Sequence, residues 1–388
     1  MTSDINGAAL DFAALRRWPD IEEDNLFAVD ASDRLILDEA AEAIAAAGRG
    51  EVVTIGDNYG ALTLGAIVLH GAAGVRVHQD VITGERALVA NAVGLTDDFA
   101  HHELGASLLE GATVVLVQLP RGLDELAEIA ETIARYAAPG VVVYAGGRLK
   151  HISQTMNPVL LEFFETLDVS LARQKSRVLI ARGPRAVAES RFPATEHHDD
   201  VRLWVASHGS AFAGTSIDIG TRTLLGVLRR VDPGARTVID LGCGTGVLAA
   251  SIAKARPEVS VIATDASASA VRAAEATMRL NGLSDRVTVV REDGLVGVAD
   301  ASADVILLNP PFHVGAVVHT GIAERLFADA ARVLRPGGEL WTVFNTHLGY
   351  RQALARMVGP TELVTHNDKF TVTVSTVTVS INAPESSD

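Results

Sequence analysis

The chain has 388 residues, which is too long for one ordinary domain, and its 48% apolar and 21% charged residues exclude a disordered protein. A single cysteine excludes an internal disulfide framework and a cysteine-rich metal site, and no apolar run reaches the ~20 residues of a membrane span. The opening residues, MTSDINGAALDF, contain no basic stretch before an apolar run, so we expect no signal peptide and a cytoplasmic location.

The net charge of −15 is concentrated in the first part of the chain. Residues 1–146 contain 23 acidic and 8 basic residues, whereas residues 201–388 contain 18 acidic and 17 basic residues. The charge of the whole chain therefore does not exclude an RNA partner. Between these parts lies a basic cluster that is either a nucleic-acid contact or merely a solvated face. Its members are Arg173, Lys175, Arg177, Arg182, Arg185 and Arg191.

Short β-branched apolar runs alternate with Ala-rich helical stretches, which predicts βαβ units on parallel sheets. Four segments of the first half recur in the second half. EVVTIGDNYGAL (51–62) matches TVIDLGCGTGVL (237–248), and VHQDVIT (77–83) matches VIATDAS (261–267). VVLVQLPRGL (114–123) matches VILLNPPFHV (305–314), and AAPGVVVYAGG matches LRPGGELWTVF. This alignment pairs Asp80 with Asp265. We predict two similar doubly wound α/β domains, residues 1–192 and 202–388, joined near residues 189–201, where apolar periodicity lapses.

The two copies differ in the residues that would bind or react. The acid before the glycine turn, Asp240, is replaced by Thr54 in the first copy, and the middle glycine, Gly244, is replaced by Asn58. The tetrapeptide NPPF of residues 309–312 corresponds to QLPR in the first copy. We therefore expect the first domain to keep the scaffold and to be non-catalytic.

A glycine turn follows the first strand of the second copy and precedes a helix. Its glycines, Gly242, Gly244 and Gly246, allow a ligand to approach the main chain, and the helix N-terminus favours a negatively charged group. Asp240 ends the strand at the crevice where doubly wound folds bind ligands, and it would accept from a cationic ammonium. Cys243, in the same turn, is more simply a small filler than a nucleophile.

Two further acids end the next strands. Asp265 lies 19 residues beyond Gly246, where a carboxylate can accept from both ribose hydroxyls, and Asp293 is placed to accept from an adenine amino group. A dinucleotide would suit a glycine turn and a ribose acid as well. However, the acid before the turn would repel a pyrophosphate, whereas it suits the ammonium of an amino acid.

The chain must leave the second sheet at Asn309, because the two prolines that follow cannot extend a central ladder. They also stiffen the turn, so that Asn309 Oδ1 and the Pro310 carbonyl form a rigid pair of acceptors. Such a pair can hold the two hydrogens of a ring-conjugated amine and point the nitrogen lone pair at a methyl donor. Phe312 is suited to stacking on the base that carries this amine.

These motifs resemble known families. The glycine turn resembles motif I of the class I S-adenosylmethionine-dependent methyltransferases, and NPPF resembles the (N/D)-P-P-(Y/F) motif of amino-group methyltransferases. Beyond the motifs, four segments resemble bacterial ribosomal RNA guanine-N2 methyltransferases, more closely the large-subunit (23S) than the small-subunit (16S) enzymes. They are HGSAFAGTSIDIGTRTLL (208–225), LNPPFH, NTHLGYRQALARMVG and HNDKFTVTVS. GGRLKHISQTMNPVLLEFFETL and KSRVLIARG resemble the degenerate N-terminal domain of that family.

The resemblance implies two tandem Rossmann-like class I methyltransferase domains, the first of them degenerate and aiding RNA binding or folding. The second would bind S-adenosylmethionine and methylate N2 of a guanine in ribosomal RNA. The residues implied for the cofactor are Asp240, Gly242, Cys243, Gly244, Gly246, Asp265, Asp293 and Asn309, with Phe212, Asp218 and Gly220 closing over it. The residues implied for the target base are Asn309, Pro310, Pro311 and Phe312, with His313, Lys369 and Phe370 contacting the substrate.

Several alternatives remain open at this point. Adenine N6 or a protein glutamine is another possible acceptor, and a non-catalytic RNA- or protein-binding scaffold is a different class of function. His313 as a general base is less attractive, because solvent can take the proton after transfer. The paired histidines at 101–102 and 197–198 lack partners at ligand spacing, so we expect no metal. The sequence sets no oligomeric state, although a monomer is compatible with it.

Overall fold

The computed structural model of the protein describes residues 10–310 and 320–378, and the chain divides into two units after Phe192. The first unit contains the strands β1 (Val52–Ile55), β2 (Val75–His78), β3 (Phe99–His101), β4 (Val114–Gln118), β5 (Val142–Arg148), β6 (Phe164–Val169) and β7 (Ser176–Pro184). Its helices are α1 (Ala31–Ala46), α2 (Ala61–His70), α3 (Ile82–Ala92), α4 (Ala106–Leu109), α5 (Leu123–Tyr136) and α6 (Met156–Phe163).

The second unit begins with a hairpin and continues with the same succession of elements. Its strands are β8 (Ala194–His198), β9 (Leu203–Ser207), β10 (Thr237–Leu241), β11 (Ser260–Asp265), β12 (Val287–Arg291), β13 (Ala303–Leu308), β14 (Leu334–Asn345), β15 (Thr361–His366) and β16 (Phe370–Thr376). Its helices are α7 (Ile219–Leu225), α8 (Val247–Ala255), α9 (Ala268–Leu280), α10 (Thr320–Val333) and α11 (Arg351–Met357). Across the described ranges, no helix is both long enough and apolar enough to cross a bilayer.

Each unit is built on a seven-stranded sheet, and the two sheets have the same strand order. In the first unit the order is β3-β2-β1-β4-β5-β7-β6, and in the second it is β12-β11-β10-β13-β14-β16-β15. The predicted fold class, two tandem α/β domains, is thus confirmed. The expected parallel arrangement is found in five strands of each sheet, whereas the last two strands run antiparallel to their neighbours. Only residues 170–175 join β6 to β7, and so short a connection cannot make a parallel crossover.

Both faces of the second sheet are covered. Along β13, Val305 and Leu307 belong to one buried cluster, whereas Ile306 and Leu308 belong to another. Because alternate residues of a strand point to opposite faces, these clusters lie on the two sides of the sheet. Fully burying each of these side chains contributes roughly 1.5–3 kcal/mol. The apolar runs of the sequence reflect this double burial.

The segment predicted as a linker contains a strand. Residues 194–198 form β8, which pairs antiparallel with β9. The alternation of apolar and polar residues that marks a strand is missing here because β8 is solvent-exposed on nearly all of its length.

Sheet register shows which residues of the two copies are equivalent. Ile55 pairs with His78 and Val117, and Leu241 pairs in the same way with Thr264 and Leu308. The residues that follow are therefore equivalent in pairs: Gln79 with Asp265, and Gln118 with Asn309. The predicted match of Asn309 with Gln118 is confirmed. The predicted match of Asp265 with Asp80 is wrong by one residue, because β2 ends at His78.

Candidate active site

The candidate site lies where the central strands β10, β11 and β13 of the second unit end. These strands are parallel neighbours, so their carboxyl ends share one edge of the sheet. Asp240, Asp265 and Asn309 all lie at this edge, in or directly after the ends of their strands. The topology thus brings together residues that are far apart in the sequence.

The glycine turn has two kinds of glycine. Gly242 and Gly244 have φ angles of 69° and 53°, and a Cβ built on either would meet nothing within 4 Å. A Cβ on Gly246 would lie 2.8 Å from Met278 Cε and 3.2 Å from Ala274 Cα. Two glycines therefore leave open space beside the turn, whereas the third lets α8 and α9 pack closely.

Asp240 is buried, and it ties β10 to α8. Its Oδ2 accepts a hydrogen bond of 2.9 Å from the backbone N–H of Ala249. Burial, with a smaller contribution from the charge of Asp265, raises the pKa of Asp240 to about 7. A cationic ligand group would offset the cost of ionising this buried carboxyl, because it favours the charged form. The predicted contact with an ammonium stays a prediction.

Asp265 connects the glycine turn to the next strand. Its Oδ2 accepts from Gly244 N–H and its Oδ1 accepts from Ser267 N–H, both at 2.9 Å. The side chain is half-buried. The carboxylate is therefore fixed by two main-chain donors at the end of β11, the position that the sequence predicts for ribose hydroxyls.

Asp293 is held by a cation that the sequence analysis missed. Both of its oxygens accept from Arg325, at 3.0 Å from Nη1 and 2.6 Å from Nη2. An adenine amino group would have to share the oxygens of Asp293 with this guanidinium. Arg325 lies on α10, 32 residues away, and no motif spacing indicates the pairing.

Asn309 follows β13 and is oriented by the start of α7. Its Nδ2 donates to Thr221 Oγ1 at 3.1 Å and faces the two oxygens of Asp218 at 3.4 and 3.5 Å. Its Oδ1 is buried and has no hydrogen-bond partner among the residues that the structure describes. The predicted acceptor atom is thus directed away from the groups that hold the amide. Asp218 is among the predicted site residues, whereas Thr221 is not, although it lies only three residues after this helix-capping acid.

The start of α7 also meets the edge of the sheet that carries Phe370. Asp218 caps the helix by accepting from Gly220 N–H at 2.9 Å and Thr221 N–H at 3.1 Å. A Cβ on Gly220 would lie 3.1 Å from Phe370 Cε1, so a larger residue here would require the phenyl ring to shift by a few tenths of an ångström. Phe370 pairs with Asn345 at the carboxyl end of β14, the strand beside β13. The structure thus brings Phe370 to the same end of the sheet as Asn309.

The other predicted site residues have different environments. Phe212 is 74% exposed in the turns before α7, so its predicted role in closing over the cofactor stays a prediction. Lys369 is exposed next to Phe370, and Cys243 is buried, which raises the pKa of its thiol well above the ordinary value. Pro310 is buried. Pro311, Phe312 and His313 lie outside the described residues.

Three of the six residues in the basic cluster of the first unit form ion pairs with carboxylates. Arg173 pairs with Asp38, Arg182 pairs with Asp168, and Arg191 pairs with Glu162. These contacts favour the interpretation of a solvated face over that of a phosphate-binding patch. Among the described residues, no three His, Cys, Asp or Glu side chains are grouped so as to hold a metal ion.

Comparisons with known proteins cover nearly the whole chain. The model of the RLMG N-terminal domain family matches residues 5–185, and that of the Methyltransferase small domain family matches residues 202–374. A ribosomal RNA large subunit methyltransferase G of Streptomyces coelicolor is 35% identical over 92% of this chain and 96% of its own length. A protein of the same name from Pseudomonas putida is also 35% identical, with the same coverage of both chains.

Among solved structures, the chain resembles the T. thermophilus 16S rRNA N2 G1207 methyltransferase RsmC, determined in complex with AdoMet and guanosine. The TM-score is 0.69, and the match covers 92% of this chain and 97% of that chain. At 21% sequence identity, this likeness shows a shared two-unit fold.

Proposed function

Since the chain belongs to the ribosomal RNA large subunit methyltransferase G family, we propose that it transfers a methyl group from S-adenosylmethionine to the exocyclic N2 of a guanine in large-subunit (23S) ribosomal RNA. The second unit carries the reaction. We also propose a cytoplasmic location, because the proposed substrate is ribosomal RNA.

The observation that carries this proposal is the state of the Asn309 amide. Its nitrogen is held by Thr221 and Asp218, while its buried Oδ1 has no partner among the described residues. A buried acceptor without a donor is costly, by about 1–3 kcal/mol. An amino group of the substrate would remove this cost, because it donates to Oδ1. The arrangement thus favours an acceptor whose nitrogen carries hydrogens.

The residues at this edge also fit the methyl donor. The open space beside Gly242 and Gly244 lets a ligand approach the main chain, and Asp265 is the candidate for its ribose hydroxyls. Asp240 and Asp293 are the candidates for its ammonium and its adenine amino group. When bound, S-adenosylmethionine supplies a methyl group on a positively charged sulfur. The protein contributes by holding this methyl group in line with the guanine nitrogen. Positioning of this kind supplies most of the rate enhancement.

Methyl transfer to the amine needs no strong base in the protein. The guanine N2 becomes nucleophilic when its two hydrogens are held by Asn309 Oδ1 and the Pro310 carbonyl, because these acceptors favour a tetrahedral nitrogen. The positive charge that forms on nitrogen is stabilised by the same two oxygens. The surplus proton leaves to solvent after transfer.

Product analysis tests this proposal. The purified chain is incubated with isotopically labelled S-adenosylmethionine and either deproteinised 23S RNA, deproteinised 16S RNA or intact ribosomal subunits, and the digested nucleosides are identified by mass spectrometry. We expect labelled N2-methylguanosine from the large-subunit substrates. Label in N6-methyladenosine or in protein would contradict the guanine assignment. Label confined to 16S RNA would contradict the choice of subunit.

A further inference from the structure

We propose that Asp218 and Thr221 are positioning residues for the reaction proposed above, because together they fix which end of the Asn309 amide meets the substrate. This differs from the role in cofactor closure that the family resemblance implies for Asp218, and it rests on the proposed function.

The argument begins with what each group can donate. An ionised carboxylate has no hydrogen to donate, so an amide beside it presents its NH2 group to it. Asn309 Nδ2 lies 3.4 and 3.5 Å from the oxygens of Asp218 and 3.1 Å from Thr221 Oγ1. With Nδ2 held on this side, Oδ1 must point to the other side.

Thr221 alone would not decide the orientation. A hydroxyl can donate or accept, so it suits either end of the amide. Asp218 removes this ambiguity, and it also caps α7 by accepting from Thr221 N–H. One carboxylate therefore both orients the amide and fixes the backbone of the second residue that holds it.

The first unit holds the equivalent amide with the same kinds of residue, an aspartate and a hydroxyl, although burial raises the pKa of this aspartate to about 8. Gln118 Nε2 donates to Asp33 Oδ1 and to Ser32 Oγ, at the start of α1. An aspartate and a hydroxyl at a helix start thus hold the amide nitrogen in both units. In the first unit, however, the amide oxygen lies 3.2 Å from Ser32 Oγ, whereas Asn309 Oδ1 has no such neighbour among the described residues.

Reversing the amide should block the reaction. If Asn309 presented NH2 to the substrate, two amino groups would face each other, and neither could accept a hydrogen. The Pro310 carbonyl would then act alone. We expect the loss to appear in kcat, because the acceptor matters most as charge develops on the nitrogen.

The main test replaces Asp218 by asparagine. Asp218→Asn keeps the size of the side chain and an oxygen that can cap α7, but it places an NH2 group opposite Asn309 and so favours the reversed amide. We expect kcat to fall about 100-fold, with the Kd for S-adenosylhomocysteine unchanged within twofold. Melting curves confirm that the variant is folded.

A matched pair at Thr221 keeps the test decisive even if Asp218→Asn fails to fold. Thr221→Val removes the acceptor at nearly constant size and should lower kcat by about 3- to 10-fold. Thr221→Ser keeps the hydroxyl, so its kcat should stay at the wild-type value. The control is Ser32→Ala at the equivalent amide of the first unit, which should leave kcat unchanged.

Three outcomes would overturn the proposal: wild-type kcat in folded Asp218→Asn, wild-type kcat in Thr221→Val, or a loss of cofactor affinity that parallels the loss of kcat. The last outcome would show that Asp218 acts in cofactor binding and not in orienting the Asn309 amide.

An NMR measurement separates this proposal from the proposed function. The side-chain NH2 resonances of Asn309, assigned with Asn309→Ala, should move in Asp218→Asn. If the wild-type protein methylates no RNA, the proposed function fails, and these resonances still decide the orientation of the amide. If these resonances do not move in Asp218→Asn, the positioning role of Asp218 is overturned.

Discussion

Gln118 and Asn309 occupy the same place in two copies of one sheet, yet their amides are used differently. Gln118 ends β4 and Asn309 directly follows β13, strands that hold the same place in the two sheets, and each amide has its nitrogen held by an aspartate and a hydroxyl from a helix start. Gln118 is satisfied within its own unit by Ser32 and Asp33. Asn309 keeps a buried oxygen without a partner in the described part of the chain. This difference is the one we expect if the first copy is non-catalytic and closes its hydrogen-bond network, whereas the second copy leaves an acceptor for the proposed substrate.

The glycine turns show the same contrast. Gly56 and Gly242, which are equivalent, have φ angles of 73° and 69°. In the first unit a Cβ on Gly56 would lie 3.2 Å from the Gln118 carbonyl oxygen, whereas in the second unit the space beside Gly242 is open. The backbone conformation has been kept in both copies, but the room for a ligand has been kept in one.

The largest effect is expected from removing the two amides in turn. Asn309→Ala should lower kcat by about 100- to 1,000-fold, because the transition state loses an acceptor, while the Kd for S-adenosylhomocysteine stays unchanged. Gln118→Ala should leave kcat within twofold of the wild type. Steady-state kinetics and calorimetry on both variants measure this contrast. Equal losses in the two variants would show that the units are not divided as proposed.

The next effect concerns the pH dependence of stability. Burial, with smaller contributions that include the charge of Asp57, raises the pKa of Asp33 to about 8. Between its unfolded pKa of about 4 and about 8, Asp33 binds a proton in the folded state that it lacks when unfolded. The stability of the first unit should therefore fall by a few kcal/mol as the pH rises through this window.

Hydrogen exchange of the α1 amides at pH 5.5 and pH 8, corrected for intrinsic rates, measures this dependence. Asp33→Asn, which is neutral at both values, should flatten it. A wild-type protection that is equal at the two pH values would contradict the protonated state of Asp33.

Adding one methyl group to each glycine turn should give a smaller contrast. Gly242→Ala and Gly56→Ala both force a side chain into a left-handed conformation, at about 1–2 kcal/mol of stability each. Only Gly242→Ala puts its methyl group into the proposed cofactor space, so its Kd for S-adenosylmethionine should rise about 10- to 100-fold. Calorimetric titration of both variants provides the measurement. A weakened affinity in Gly56→Ala would mean that the first unit takes part in cofactor binding.

The smallest effect tests the charge of Asp240. With a pKa of about 7, this carboxyl loses its proton as the pH rises from 6 to 8. If it accepts from the ammonium of the cofactor, affinity for S-adenosylhomocysteine should rise about tenfold across this range. Asp240→Asn should abolish the rise. If the affinity of the wild-type protein did not change with pH, Asp240 would have only a structural role, through its hydrogen bond with Ala249.

The sequence predicts the repeated architecture well because buried parallel strands leave long β-branched runs. It also pairs Asn309 correctly with Gln118, since an amide residue followed by proline within two positions marks the ends of both strands. The sequence pairs Asp80 wrongly with Asp265, because Gln79 and Asp80 are neighbouring polar residues after the strand. Only the sheet register shows that Gln79 is the residue equivalent to Asp265. The sequence misses the partner of Asp293 and the contact between Asn309 and Thr221, because residues 32 and 88 positions apart leave no local signal. Segment 189–201 is missed as structure because β8 buries too little to show a pattern.

The hairpin of β8 and β9 has a practical consequence for anyone who wishes to express the second half alone. Leu203 and Val205 of β9 are fully buried in the same cluster as the strands of the sheet. Trp204 exchanges backbone hydrogen bonds with the Asn281 side chain, at the far end of α9. A truncated chain that starts at residue 208 would expose this apolar surface and remove the two hydrogen bonds that hold Asn281 at the end of α9. A workable fragment should start no later than Pro193.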